Sequence, residues 1–578
     1  MTIQYDVAII GGGPGGSTCG GMLARYATEL KVGIFEREAF PRDHVGESVL
    51  PPVSSILNEL GCWNEVEAAD FPIKIGATYR WGNSKKLWDF EFMPMDLYQE
   101  EQRPRAWNAQ TKQLALQVDR AAYDAILLDH ARKLGCKVNQ PCQVRKVHRN
   151  GDMVEGLELT DGTTIKANWY VDASGASAIL RRAMDIGVEL PTQLQNIAFW
   201  DYWENTEWAT RFPGGATRVL VLSIGAGWIW FIPLGPTRTS IGFVCPRDFY
   251  RDCGKSKEEI YLWALSQEPL ISELTQSAHR EGNVQGTKDW SFVTDRAVGK
   301  NWFLVGEAAG FADPILAAGL TLTQTSAREA AYSIIAMENK DHEADWIKQH
   351  YDENQRTRVR QHIRFADFWY SANGNFTDLQ AYTSDIAKDA GLDLDPQQAF
   401  QWLGTGGFTH DVLGQVGIGA LDLAGTRQIA QRFVGGQADW QVSKFNRFRL
   451  NTKGAKVVEV PAYNEGKITR VKTFVRGDKR LPLYGLFSVV HKTLKKSRDL
   501  VGQILPAMQQ HAIQSGANME PKLVIHHLMQ VLELMVNDGW VTAKYDPKRP
   551  TIDLSTPDEG QIIHTNVELN ERMGQHTQ

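Results

Sequence analysis

The chain has 578 residues, a formal net charge of −6 and 43% hydrophobic residues. That length exceeds one ordinary core and favours two or three packed units, and the acidic balance gives no electrostatic reason to expect nucleic acid or an anionic membrane as the main partner. Six scattered cysteines without a Cys-x-x-Cys spacing exclude a disulfide framework and a structural zinc site, so no metal is expected.

Met1 leads almost directly into the apolar YDVAII, without the basic start and cleavage site of a signal peptide. No apolar run reaches the length of a membrane span. The expectation is a soluble, cytoplasmic protein.

The opening segment, YDVAIIGGGPGGSTCGGMLARYATELKVGIFERE, predicts a buried strand over residues 7–10, a glycine turn, a helix to about residue 27 and a second strand ending at Glu36. Gly11, Gly13 and Gly16 have the G-x-G-x-x-G spacing in the strand-turn-helix context that makes it informative. Small residues let the backbone approach a pyrophosphate at the positive end of the helix, and Glu36 is placed to accept hydrogen bonds from the ribose hydroxyls of an adenosine.

Two later stretches, IKANWYVDASG (165–175) and NWFLVGEAAGFADP (301–314), repeat the pattern of an apolar strand ending in a small-residue turn. Between them GWIWFIPLG (227–235) alternates so that Trp228, Trp230 and Ile232 share one face while Ile229 and Phe231 take the other.

From residue 380 a helical stretch is expected, broken by glycines at 404–407 and 414–419. Gly417 and Gly419 do not make a second dinucleotide motif, because Asp422 stands where the third glycine belongs. Three segments then show apolar residues at helical spacing: 481–496, 499–513 and 521–540. WVTAKYDPKRPTIDL (540–554) reads as two short strands around an Asp-Pro turn. The expected divisions are a core over 1–375, a helical extension over 376–455 and a winged-helix-like module over 456–578. Such modules often bind DNA. The cluster Lys492, Lys495, Lys496 and Arg498 is the only local support for that role, and a lid, an oligomer contact or a docking surface is preferred.

Over roughly the first 370 residues, the order of the glycine motif, VGES (45–48), VDRAAYD (118–124), VDASG (171–175) and GEAAGFADP (306–314) resembles the flavin monooxygenase superfamily typified by aromatic hydroxylases. Within it, Trp228-x-Trp230-x-Ile232-Pro233 resembles the signature of flavin-dependent halogenases, and Lys74, in FPIKIGATYRWG (71–82), stands just before a strand where that family carries its lysine. The segment FPRDHVGES (40–48) is closest to the type acting on phenols and carrier-protein substrates.

The resemblance implies an α/β fold, with a Rossmann-like FAD-binding core beside a substrate β-sheet. It implies reduced FAD (FADH2), O2 and a halide as reactants, giving hypohalous acid that passes to Lys74 for chlorination, bromination or iodination of an electron-rich aromatic or heteroaromatic ring. Lys74 acts either by hydrogen-bonding hypohalous acid or, as the neutral amine, by forming a haloamine. The same resemblance places Ser48 near the flavin, Arg120 near the phosphate or adenosine part, Glu307 on the ribityl chain in place of the family's aspartate, and Asp313 near the isoalloxazine.

Backbone N–H groups at Ala318 and Gly319 are implied to hold the halide. Trp228, Trp230, Ile232 and Pro233 are implied to wall flavin from substrate. Leu316 stands where tryptophan halogenases have a glutamate, which favours a self-activating phenol or pyrrole. Arg42 and His44 line the flavin entrance or form a structural salt bridge. A separate NAD(P)H-dependent flavin reductase is the implied partner, the substrate is free or carrier-tethered, and a homo-oligomer is compatible with the sequence. The alternatives are an aromatic hydroxylase and, from another class, a DNA-binding regulatory flavoprotein.

Overall fold

The computed structural model describes residues 1–389, 440–477, 479–514, 521–552 and 563–574, together with 409–410, 416–417 and Phe433. The glycines at 404–407 and most of the 414–425 segment lie outside the described residues. No helix among those described is long and apolar enough to cross a membrane.

The first layer is a seven-stranded sheet. Thr2–Ile10 pairs in parallel with Val32–Phe35 on one side and Thr164–Asp172 on the other, and Trp302–Leu304 extends the parallel set. Ile9 and Ile34 are fully buried, as the continuous apolar runs require of a parallel sheet covered on both faces. The covering helices include Pro14–Tyr26, which starts with proline where a missing N–H costs nothing, and Gly319–Glu338.

The second layer is a ten-stranded, mostly antiparallel sheet. Gly227–Pro233 lies in its interior between Ala216–Ile224 and Arg238–Pro246. The predicted alternation is observed: Trp228, Trp230 and Ile232 join one apolar cluster with Phe365, Phe368 and Trp369 of the long helix Ala344–Ser371, while Ile229 and Phe231 pack on the other face against Ile260, Leu270 and Ile271.

The three C-terminal helices are Gly485–Lys496, Leu505–Gln514 and Pro521–Asn537, packed on one core with Trp440 and Phe448. The strand Val541–Lys544 is present, residues 545–552 contribute no strand beside it, and the last residues of the expected hairpin, 553–554, lie outside the described residues. Val541–Lys544 pairs antiparallel with Arg447–Leu450, nearly a hundred residues earlier, because that strand supplies Phe448 to the helical core. A three-stranded sheet over Lys456–Asn464, Lys467–Arg476 and Lys479–Pro482 was not expected at all.

This region is not set apart from the rest. Tyr463 and Ile468 enter the core of the first layer, and Arg328 donates to Tyr463 O at 3.1 Å. Ile563–Thr565 adds an edge strand to the ten-stranded sheet beside Trp88–Glu91, where Asn570 exchanges hydrogen bonds with the Leu87 backbone at 2.8 and 2.9 Å.

Candidate active site

One cavity of about 820 Å³ runs from the glycine turn between the two layers to Lys74. At its nucleotide end the three motif glycines do different work. Gly11 has φ +102°, in the left-handed region, and a β-carbon there would lie 2.4 Å from Ala173 O. A β-carbon on Gly16 would lie 1.9 Å from Gly11 O, so this glycine sets the approach of helix to turn. Gly13 caps the helix and faces the cavity, with Arg42 as the nearest neighbour at 3.5 Å.

Glu36, one residue past its strand, is buried and accepts from Gly12 N at 2.6 Å and Glu38 N at 2.8 Å, which fixes its carboxylate at the cavity wall. Ser48 also lines the cavity, and its buried hydroxyl has no hydrogen-bond partner. An orphaned hydroxyl, a bare glycine at a helix start and a fixed acid in one elongated space fit an adenine dinucleotide.

Arg120 reaches the same cavity, but its guanidinium is committed to Asp124 at 2.8 and 2.9 Å and to Val45 O at 2.7 Å. Its role is therefore to hold the 45–46 loop, and Arg42, 3.5 Å from Asp124, is the more accessible cation. Arg42 and His44 both line the cavity; the Arg120 charge, with burial, holds His44 down to about 4. Burial raises the Glu307 carboxyl, which faces the cavity beside Gly175.

At the other end, Lys74 is 2% exposed. Its ammonium donates to Val49 O at 3.2 Å and lies 5.3 Å from the Phe92 ring. Burial pushes it down to about 7. Lys74 lies within the strand Ile73–Arg80, not before it. A register shift opposite Thr217 and Arg218 leaves Ile75 without a register partner in the Ala216–Ile224 strand, and this bulge changes the phase of the strand. Ile73 and Ile75 face one apolar cluster, whereas Lys74, Ala77 and Tyr79 line the cavity.

Trp228, Trp230 and Ile232 form the adjoining wall; Pro233, at the strand end, is outside it. The indoles border the space that also holds Lys74. Leu316 lines the same space, so the position where a glutamate was expected in relatives is apolar here.

Asp313 accepts from Ile315 N at 2.9 Å, Tyr370 Oη at 3.1 Å and Asn196 Nδ2 at 3.1 Å, and burial pushes its carboxyl up to about 7. Beyond it Ala317 has φ +51° and the helix Gly319–Glu338 begins. Gly319 lines the large cavity, and with Ala318, Asp313, Glu307 and Thr323 it also lines a recess of about 10 Å³, the size of one water-sized atom. Tyr370, Asn196, Tyr79 and Glu47 were not singled out from sequence. Glu47 lies within the VGES segment and accepts from Tyr202 Oη at 3.1 Å, so its motif was available as a signal. Tyr79 lies within the FPIKIGATYRWG segment that carries Lys74, whereas Tyr370 and Asn196 lie in no motif.

Comparison with known proteins agrees with this geometry. The family model described as tryptophan halogenase matches residues 6–113 and 95–378. A 1H-pyrrole-2-carbonyl-(peptidyl-carrier protein) chlorinase of Pseudomonas fluorescens is 30% identical over 389 residues, 65% of this chain and 85% of its own length. Among solved structures, the flavin-dependent halogenase CmlS has the same fold, with TM-score 0.68, 22% identity and coverage of 96% of this chain and 98% of its own. The myxobacterial chondrochloren halogenase CndH has TM-score 0.59 and 26% identity, covering 74% of this chain and 96% of its own.

Proposed function

This chain belongs to the tryptophan halogenase family, making it a flavin-dependent halogenase that uses FADH2, O2 and halide, and from that premise we propose roles for its residues. When bound, reduced FAD would supply two of the four electrons that O2 takes up and the halide the other two, one oxygen leaving as water and the other as hypohalous acid. Gly11, Gly13, Gly16, Glu36 and Ser48 hold the dinucleotide, with Glu307 and Asp313 toward the flavin end. Arg120 supports them by fixing the loop that carries Ser48. Ala318 and Gly319 present helix-start amides to the halide, and the one-atom recess beside them supports that role. Asp313, with its carboxyl raised to about 7, adds less negative charge there than an ordinary carboxylate would.

Lys74 receives the oxidised halogen and delivers it to the ring. The observation that carries this reading is a lysine 2% exposed, depressed to about 7, on the same cavity as Trp228 and Trp230. A buried, water-poor pocket keeps such a species from side reactions. The tryptophan wall orients its path and leaves the substrate an apolar, aromatic surface that suits an electron-rich ring. With Leu316 in place of an acid, the substrate activates its own carbon, as a phenol or pyrrole does.

The reductant arrives from a separate NAD(P)H-dependent flavin reductase. Carrier-tethered delivery is supported by the Pseudomonas relative and by the charge of residues 441–500, where fifteen Lys and Arg stand against four Asp and Glu in an acidic chain. Arg447 lies directly opposite Lys544 across a strand pair and both are exposed, Arg447 also pairing with Asp546 at 3.7 Å. A basic surface of this kind suits an acidic protein partner. Residues 1–375 act as the chemical core, 376–455 as an extension, and 456–578 as the docking region.

The test supplies FAD, a reductase, NADH, halide and a panel of phenols and pyrroles, free and carrier-bound. Halogenated products identified by isotope pattern are expected. Hydroxylated products without halogen point to the hydroxylase alternative, and salt-sensitive DNA binding to the regulatory one.

A further inference from the structure

Tyr370 belongs to no motif, yet its hydroxyl sits where three elements meet. It donates to Asp313 Oδ1 at 3.1 Å and accepts from Trp228 Nε1 at 2.7 Å and from Asn196 Nδ2 at 3.3 Å. Asn196 Nδ2 also donates to Asp313 Oδ2 at 3.1 Å, and its Oδ1 accepts from Tyr382 Oη at 2.9 Å. Asp313, Tyr370, Asn196 and Trp228 are all buried.

This junction controls more than a side chain. Asp313 caps the turn Pro314–Leu316 through Ile315 N. The turn ends at Ala317, an alanine in the left-handed region at φ +51°, and the next residues are Ala318 and Gly319. A non-glycine residue in that region persists only where its surroundings fix it. Here the fixing contacts run from Asp313 to Tyr370 on the long helix and to Asn196 on the strand Gln195–Glu204, and through Tyr370 to Trp228 on the tryptophan strand.

We propose that Tyr370 is a positioning residue for halide: its hydroxyl ties the Asp313–Gly319 loop to Trp228 and so sets halide affinity and the fraction of flavin oxidation that yields halogenated product. The inference rests on the reading that the Ala318 and Gly319 amides hold the halide. Removing the hydroxyl leaves the Trp228 indole N–H buried without its acceptor and takes one donor from Asp313, so the loop loses its register with the wall.

Tyr370→Phe keeps the ring that packs 5.6 Å from Trp81 and 6.1 Å from Phe376. Bromide titrated into the oxidised-FAD holoenzyme, followed by flavin fluorescence without turnover, is expected to bind ~10-fold more weakly, the loss of one buried hydrogen bond to a charged group, with FAD affinity changed less than about 2-fold. In turnover, KM for halide rises more than kcat falls, and product formed per FADH2 oxidised drops. Unchanged bromide affinity and coupling overturn the proposal. Gly319→Ala separates the two readings: if it leaves bromide affinity unaltered, the halide-loop reading fails; if it weakens bromide while Tyr370→Phe does not, only the role of Tyr370 fails. Should Tyr370→Phe not fold, Tyr382→Phe, which frees Asn196, is expected to weaken bromide in the same direction by a smaller factor, and no effect there overturns the proposal.

Discussion

The indole of Trp230 lies across the backbone of Gly242, its register partner in the neighbouring strand: a β-carbon at residue 242 would fall 2.2 Å from Trp230 Cζ2. The wall of the active cavity therefore depends on a missing side chain in a strand that carries no recognised motif. Gly242→Ala is expected to push Trp230 from its place and destabilise the protein by about 1–3 kcal/mol, the usual cost of overpacking a filled core. Denaturant unfolding followed by tryptophan fluorescence checks this, and a stability within about 0.5 kcal/mol of the parent would contradict it.

Lys74→Ala should reduce ring halogenation by ~10²–10⁴-fold, the range seen when a positioned proton-transfer or hydrogen-bonding group is removed. Oxidation of reduced flavin should continue at close to the parent rate, because that step needs only the cofactor, O2 and halide, and the lysine acts on the oxidised halogen afterwards. Simultaneous oxygen-uptake and product assays read both quantities. Retained halogenation removes Lys74 from the chemistry.

The pH dependence of stability offers a separate check on the burial of Lys74. Its folded-state value, about 7, lies below the ordinary 10.5. Between these values the unfolded chain binds a proton that the folded one does not, so this group makes stability rise with pH across that window. Its destabilising effect is complete below pH 7 and vanishes above 10.5. Lys74→Met should therefore raise Tm at pH 6, and the gain should shrink steadily toward pH 10. A gain independent of pH would mean that the ammonium is hydrated in the folded protein.

Two glycines of one motif should separate folding from cofactor binding. Gly16→Ala puts a β-carbon 1.9 Å from Gly11 O, against backbone that cannot move aside, and is expected to prevent stable folding. Gly13→Ala meets only Arg42 at 3.5 Å and should fold with little change in Tm. Its methyl enters the path of the pyrophosphate, so FAD affinity should fall by about 10-fold or more, consistent with loss of a close backbone contact. Thermal melts with and without FAD distinguish the two outcomes. Equal loss of Tm in both variants would refute the distinction.

The dinucleotide half was legible because its constraints are local. Gly11 needs a positive φ within a turn of its own, the helix starts on Pro14, and Glu36 comes a fixed number of residues after the adjacent strand. The C-terminal region was less so. Its three helices have a periodicity of their own, but Val541–Lys544 takes a partner remote in sequence, and the chain end returns to Trp88–Glu91. Pairing of that kind is set by which faces remain to be covered, and no spacing within the segment records it.

The same division runs through the active cavity. By itself the sequence determined that Trp228, Trp230 and Ile232 share a face, since the two-residue period of a strand is a property of its own backbone. Only the tertiary structure decided that Lys74 shares a cavity with them: by parity alone it falls opposite Ala77 and Tyr79, and the bulge at Ile75, imposed by pairing with Thr217 and Arg218, turns it inward. Only packing, likewise, brought Tyr370 from the long helix between Asp313 and Trp228, because hydrogen bonds to partners 57 and 142 residues earlier depend on how two layers close over one another.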